Sequence, residues 1–194
     1  MSEFGQDYYD PAPLVALARP VAIVGFLGAG TSITGHTLCA SLGLGFSDLD
    51  RLVEHAAGMS CARLQLEHGE NARRTEEARQ LQAVVHRKPP GILVLGNGAL
   101  LRGLNRALVL DTCELVYLAR PLEVCFSRLL EERARAPERY PEFIAAAPTS
   151  PADLEPLFEA RRTAYETAPH RIDADDAHAA DVAKRVADHF GWPL

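Results

Sequence analysis

The stretch GFLGAGTSITG, residues 25 to 35, spaces its glycines and serine as a phosphate-binding loop does. Gly25, Gly30 and Ser32 stand at the fixed positions of the pattern GxxxxGK[ST], and Thr31 stands where the lysine belongs. Such a loop works because glycines let successive backbone N–H groups converge on phosphate oxygens, while the N-terminus of the following helix adds partial positive charge. Gly28, Ala29, Gly30, Thr31, Ser32 and Ile33 are therefore the expected nucleotide contacts, with the Ser32 hydroxyl a magnesium ligand. Taken alone, the segment also reads as a tight strand-to-helix turn with no ligand.

Two carboxylates follow. Asp48 and Asp50 come two residues apart at the end of a second extended piece, and on an extended backbone that spacing puts both on the same side. One can hold magnesium through oxygen or water, and the other can accept a proton from a substrate hydroxyl. The competing reading is a helix N-cap and a solvated aspartate at the start of DRLVEHAAG. Arg73 and Arg74 lie on a helical stretch after a GE turn, and Arg161 on a helix leading to Tyr165. Two guanidiniums from different elements can clamp one carboxylate bidentately. Each can equally pair with Glu76, Glu77 or Glu159 on a helix surface.

The elements needed to position these groups are legible. VAIVG (21–25), LGF (44–46), GILVL (91–95), ELVYL (114–118) and HRID (170–173) read as strands. Helices fill the intervals: one from Ser32 with Ile33, Leu38 and Leu42 on one face and Gly43 as its stop, one ending at Gly58, one capped by Ser60 and one running to Pro89. Pro121 suits the first turn of the helix after ELVYL, and Ser150 with Pro151 reads as an N-cap and first residue of another. Strands alternating with helices predict an α/β fold of the P-loop NTPase type, a three-layer sandwich with a five-stranded parallel sheet covered by helices on both faces. Ligands of such sheets bind at the C-terminal ends of the strands. The Arg-, Pro- and Ala-rich stretch of about 134–149 breaks the pattern and is expected to be a lid.

A chain of 194 residues suits one domain, read here as residues 20–194 behind an N-terminal tail of residues 1–19. Its net charge of -6 argues against nucleic acid as the main partner and leaves room for small anions at a local site. The opening MSEFGQDYYDPAP has no long apolar run, so neither a secretory signal nor a membrane span is expected, and the expectation is a cytoplasmic protein and a monomer. Cys39, Cys61, Cys113 and Cys125 have neither CxxC spacing nor scaffold density and read as free thiols.

The order of motifs GFLGAGTS, FSDLDRLVE, AGMS, EHGENARRTEE, LGNGALL and ARRTAYETAPHRIDA resembles the shikimate kinase family from about Val21 to Phe190. The resemblance implies transfer of the ATP γ-phosphate to a hydroxyl of shikimate or a similar small polyhydroxy acid, in aromatic amino acid biosynthesis, with ATP and Mg2+ as cofactors. It implies Asp48 in the magnesium and water network, Asp50 on the substrate hydroxyls, and Arg74 and Arg161 on the substrate carboxylate. Gly96 and Gly98 match the outer glycines of a turn whose backbone faces substrate and γ-phosphate. Either Arg135 or Arg139 matches the lid arginine that reaches ATP.

Three departures from the family converge: Thr31 for the P-loop lysine, Asn97 for the middle glycine of GGG, and Arg73 for the phenylalanine of GExxFR. Phosphoryl transfer depends on positioning and charge stabilisation, so the lost cation bears on rate. Lys88 and Lys184, the only lysines, are badly placed, leaving Arg73 or His36 to restore the charge, and Arg73 is expected to act in catalysis with Asp50. Asn97 narrows the substrate pocket or offers a new polar contact. The alternative is a catalytically impaired pseudokinase that binds a nucleotide or small carboxylate in a regulatory role.

Overall fold

The computed structural model describes residues 13–136 and 147–194. Most of the proposed lid, including Arg139, and most of the N-terminal tail lie outside the described residues. Residues 14–17 of that tail run against the domain: the N–H of Leu14 donates to Leu42 O at 2.9 Å, and Val15 and Leu17 pack on the core.

The β-branched run VAIVG forms strand β1, Val21–Gly25, whose residues are all buried. Alternate side chains serve opposite faces, as the two-residue period of a strand requires: Ala22 and Val24 enter one hydrophobic cluster, Val21 and Ile23 another. Helix α1, Thr31–Leu42, follows the glycine loop and stops at Gly43, which takes the left-handed conformation of a C-cap. Leu38 and Leu42 of α1 are buried as expected. Ile33 is not: it is 58% exposed and lines the cleft beside the glycine loop instead of the core.

Strand β2 is Phe46–Asp48, two residues later than LGF, since Phe46, Ser47 and Asp48 pair in parallel register with Ile92, Leu93 and Val94. Helices α2 (Leu49–Ala57), α3 (Cys61–His68) and α4 (Glu70–Val84) follow. Ser60 caps α3, its oxygen accepting from the N–H of Arg63 at 3.2 Å. Helix α4 ends at Val84, short of Pro89. The remaining elements are β3 (Ile92–Val94), α5 (Gly103–Thr112), β4 (Glu114–Ala119), α6 (Leu122–Arg135), α7 (Glu155–Tyr165), β5 (His170–Asp173) and α8 (Ala179–Phe190).

All five strands are parallel in the order β2-β3-β1-β4-β5. Helices α1 and α8 cover one face through Leu38, Leu42, Val182 and Val186, while α4 to α7 cover the other through Leu81, Val109, Leu129 and Tyr165. The order reverses at β1, so the loop between β1 and α1 opens onto the crevice where such sheets take ligands. No helix among the described residues is long and apolar enough to cross a membrane.

Candidate functional site

The glycine loop is held from beneath. Gly30 is the N-cap of α1 with φ 80, a conformation that a side chain disfavours. The Ala29 carbonyl accepts Nε–H of the buried Arg120 at 3.2 Å, and Arg120 also donates to Asp175 O at 2.7 Å and Ala177 O at 3.3 Å. This guanidinium joins the loop to the end of β4 and the segment after β5. Its pKa is lowered by burial and by nearby Arg128. Arg120 was not singled out from sequence, because its partners are backbone carbonyls up to 91 residues away.

Thr31, the first residue of α1, lines the cleft, yet its methyl lies back over Gly25: a Cβ added there would sit 2.9 Å from Thr31 Cγ2. Ser32 Oγ donates to Asp48 Oδ2 at 2.9 Å. The other Asp48 oxygen accepts the N–H of Arg51 at 3.3 Å, making Asp48 the N-cap of α2. The N-cap reading of Asp48 therefore holds through Oδ1, while Oδ2 is turned to Ser32 at the cleft. The extended spacing proposed for Asp48 and Asp50 does not hold, since α2 begins at Leu49 and Asp50 belongs to its first turn; both nevertheless line the same cleft.

The turn after β3 gathers side chains from three other elements. A Cβ on Gly96 would lie 2.5 Å from Asp50 Oδ1, and one on Gly98 would lie 2.7 Å from Arg74 Nη1, so bare backbone is what lets both groups approach. Between them, Asn97 Oδ1 accepts Nε–H of Arg161 at 2.8 Å, and Asn97 O accepts the hydroxyl of Tyr165 at 2.5 Å. Asp50 from α2, Arg74 from α4 and Arg161 from α7 are thereby assembled on one three-residue turn.

Arg73 and Arg74 share a buried carboxylate. Glu77, 1% exposed, accepts from Arg74 Nη1 at 2.9 Å and stands 3.8 Å from Arg73 Nη1. Burial raises the Glu77 pKa, and Arg74 and then Arg73 oppose that rise. Arg73 also donates Nε–H to Gln65 at 2.9 Å. Neither Arg73 nor His36 is among the cleft-lining residues; His36 is exposed, its ring edge-on to Phe46 at 5.7 Å. Among the described residues, the guanidiniums that line the cleft are Arg51, which the sequence reading passed over, and Arg135.

The cleft, about 330 Å³, is bounded by the loop, β2–α2 and the turn after β3. A second hollow of about 660 Å³, lined by Val124, Arg128 and His178, meets it at Gly30, Ile33, Glu132 and Arg135. Four carboxylates of the first cleft, Asp48, Asp50, Glu54 and Glu132, face two guanidiniums. A polyphosphate entering there needs a cation, and the adjoining oxygens of Ser32 and Asp48 suit a hard divalent ion such as magnesium.

A parallel sheet with this strand order, and a glycine loop feeding a helix N-terminus beside paired carboxylates, defines a P-loop nucleotide-binding fold. Within that class, the chain belongs to the shikimate kinase family, whose model matches residues 27–190. It is 34% identical to the shikimate kinase of Geobacter sulfurreducens over 172 residues, covering 87% of this chain and 89% of that one. It is 34% identical to the shikimate kinase of Salinibacter ruber over 157 residues, covering 80% and 76%. Among solved structures, the shikimate kinase of Acinetobacter baumannii in complex with shikimate superposes with a TM-score of 0.79 at 26% identity, over 90% of this chain and 94% of that one.

Proposed function

We propose that residues 20–194 form a phosphotransferase that moves the ATP γ-phosphate to a hydroxyl of shikimate or a closely similar hydroxy acid, with turnover reduced by Thr31. The observation that carries this reading is the turn at residues 96–98. It sets Asp50 and Arg74 against bare glycine backbone and ties Arg161 to Asn97, at the rim of the cleft that also holds the phosphate loop.

In this reading the N–H groups of residues 28–33 and the α1 N-terminus take the phosphates. Ser32 and Asp48 would hold magnesium, which supplies positive charge to the phosphate oxygens when bound. Asp50 orients the substrate hydroxyl and accepts its proton. Arg74 and Arg161 bind the carboxylate through their guanidinium N–H donors; the buried Glu77 and the more exposed Glu70 hold Arg74 in place for this role. The hollow beyond Ile33 and Arg128 takes the nucleoside.

The test is ADP release with ATP, magnesium and shikimate, run beside Thr31→Lys. Slow turnover in the natural protein, raised on the order of 10² to 10³ by the lysine, is the expected result. Silence in both proteins would remove shikimate as substrate. Silence in the natural protein with rescue in the variant would instead favour a pseudokinase that binds without turnover.

A further inference from the structure

Asn97 is the one residue of the turn at 96–98 with a side chain, and two contacts from α7 fix how it stands. Tyr165, fully buried, donates its hydroxyl to Asn97 O, and Arg161, four residues earlier on the same helix, donates Nε–H to Asn97 Oδ1. A guanidinium offers donors and no acceptor. The contact therefore assigns the amide oxygen to Arg161 and turns the amide nitrogen, Nδ2, with its two N–H donors, the other way. Asn97 is half-buried and lines the cleft together with Thr31, Ser32, Asp48 and Asp50.

Resting on the cleft as the ATP site, we propose that Asn97 Nδ2 donates to the γ-phosphoryl oxygens of bound ATP, a neutral donor in a cleft whose loop carries Thr31 in place of a lysine. The position selects the γ group. The inner phosphates face the loop N–H groups of residues 28–33 on the β1–α1 side. Asn97 stands instead on the turn after β3, next to Gly96, which packs against Asp50, the side from which the substrate hydroxyl approaches in the proposed reaction. Asn97 then does two things at once: its oxygen sets Arg161 for the acid, and its nitrogen contacts the phosphate to be transferred.

The two roles separate by substitution. Asn97→Asp keeps an acceptor for Arg161 and replaces the Nδ2 donor with a carboxylate oxygen, whereas Asn97→Gly removes both and adds no charge. Dissociation constants for magnesium–ATP, magnesium–ADP and shikimate are measured by calorimetry on the full chain and both variants. Both variants are expected to lose about tenfold or more in ATP affinity with ADP changed less than about twofold. Asn97→Asp is expected to keep shikimate affinity and Asn97→Gly to lose it. ATP affinity equal to that of the natural protein, or ATP and ADP weakened alike, overturns the proposal. If the natural protein binds both nucleotides and no shikimate, the substrate reading fails while the ATP-to-ADP contrast still decides Asn97. If it binds neither nucleotide, both ideas fall. ADP affinity also reports folding of Asn97→Asp, and Asn97→Gly supplies the same contrast if that variant is unstable.

Discussion

Ser32 Oγ and Asp48 Oδ2 are 2.9 Å apart, joining the first turn of α1 to the last residue of β2 across the mouth of the cleft. Sixteen residues separate them in sequence, and the parallel pairing of β2 on β3 and β3 on β1 brings them together. An oxygen pair so placed can admit a divalent ion, and on the proposed function nucleotide binding at this carboxylate-rich cleft depends on that ion.

The first prediction concerns Asp48→Asn. Asparagine caps a helix about as well as aspartate, so the melting temperature should move by only a few degrees. ATP-induced stabilisation, which follows from binding to the folded state alone, should lose its magnesium dependence in the variant. A magnesium titration of the ATP thermal shift that is identical in both proteins would remove Asp48 from the metal site.

Gly96→Ala tests Asp50 without touching it. The new methyl would lie 2.5 Å from Asp50 Oδ1, so the carboxylate must move off the turn. On the proposed chemistry, kcat for the shikimate reaction falls by about 10² or more, while KM for ATP holds. Steady-state kinetics against each substrate would show it, and an unchanged kcat would mean that Asp50 tolerates displacement and does not serve as base.

Arg74→Leu exposes the cost of the buried carboxylate. It removes the 2.9 Å partner of Glu77 and leaves Arg73 at 3.8 Å, so a loss of about 3 kcal/mol at neutral pH is expected. Burial already raises Glu77 above the usual 4.5 in the folded protein. Its stabilising contribution is therefore complete below that value and is lost as pH rises through the folded pKa. Removing Arg74 raises the folded pKa further, so the stability gap between variant and natural protein should narrow on acidification. Denaturant unfolding from pH 8 to pH 4 measures it; a gap constant with pH would mean that Glu77 does not titrate differently in the two.

Asp153 behaves in the opposite sense. Its Oδ2 accepts from Thr149 N at 2.7 Å, Thr149 Oγ1 at 2.8 Å and Ser150 N at 3.0 Å, and these contacts lower its pKa below the usual 3.8. That contribution is present above 3.8 and disappears as pH falls through the folded value. Asp153→Asn should melt below the natural protein at pH 7, and the two should converge in strong acid. Parallel melting curves at every pH would contradict a stabilising role for these three hydrogen bonds.

Local chemistry made much of this protein readable from its sequence. Four of the five strands lie near the bounds expected of them, Gly43 and Gly58 stop helices, Ser60 caps one, and the glycine spacing of residues 25–30 marks the loop. These are decided by neighbours within a few residues. The tertiary structure decided what depends on strand order and on which way a helix face turns. It put Ile33 in the cleft rather than the core, set the buried Arg73 beside Glu77 and outside the cleft lining, and brought Arg120 under the loop. Above all it joined Asn97 to Arg161 across 64 residues. No local pattern encodes that contact, because it exists only where α7, crossing the same face of the sheet as α4 to α6, passes the end of β3.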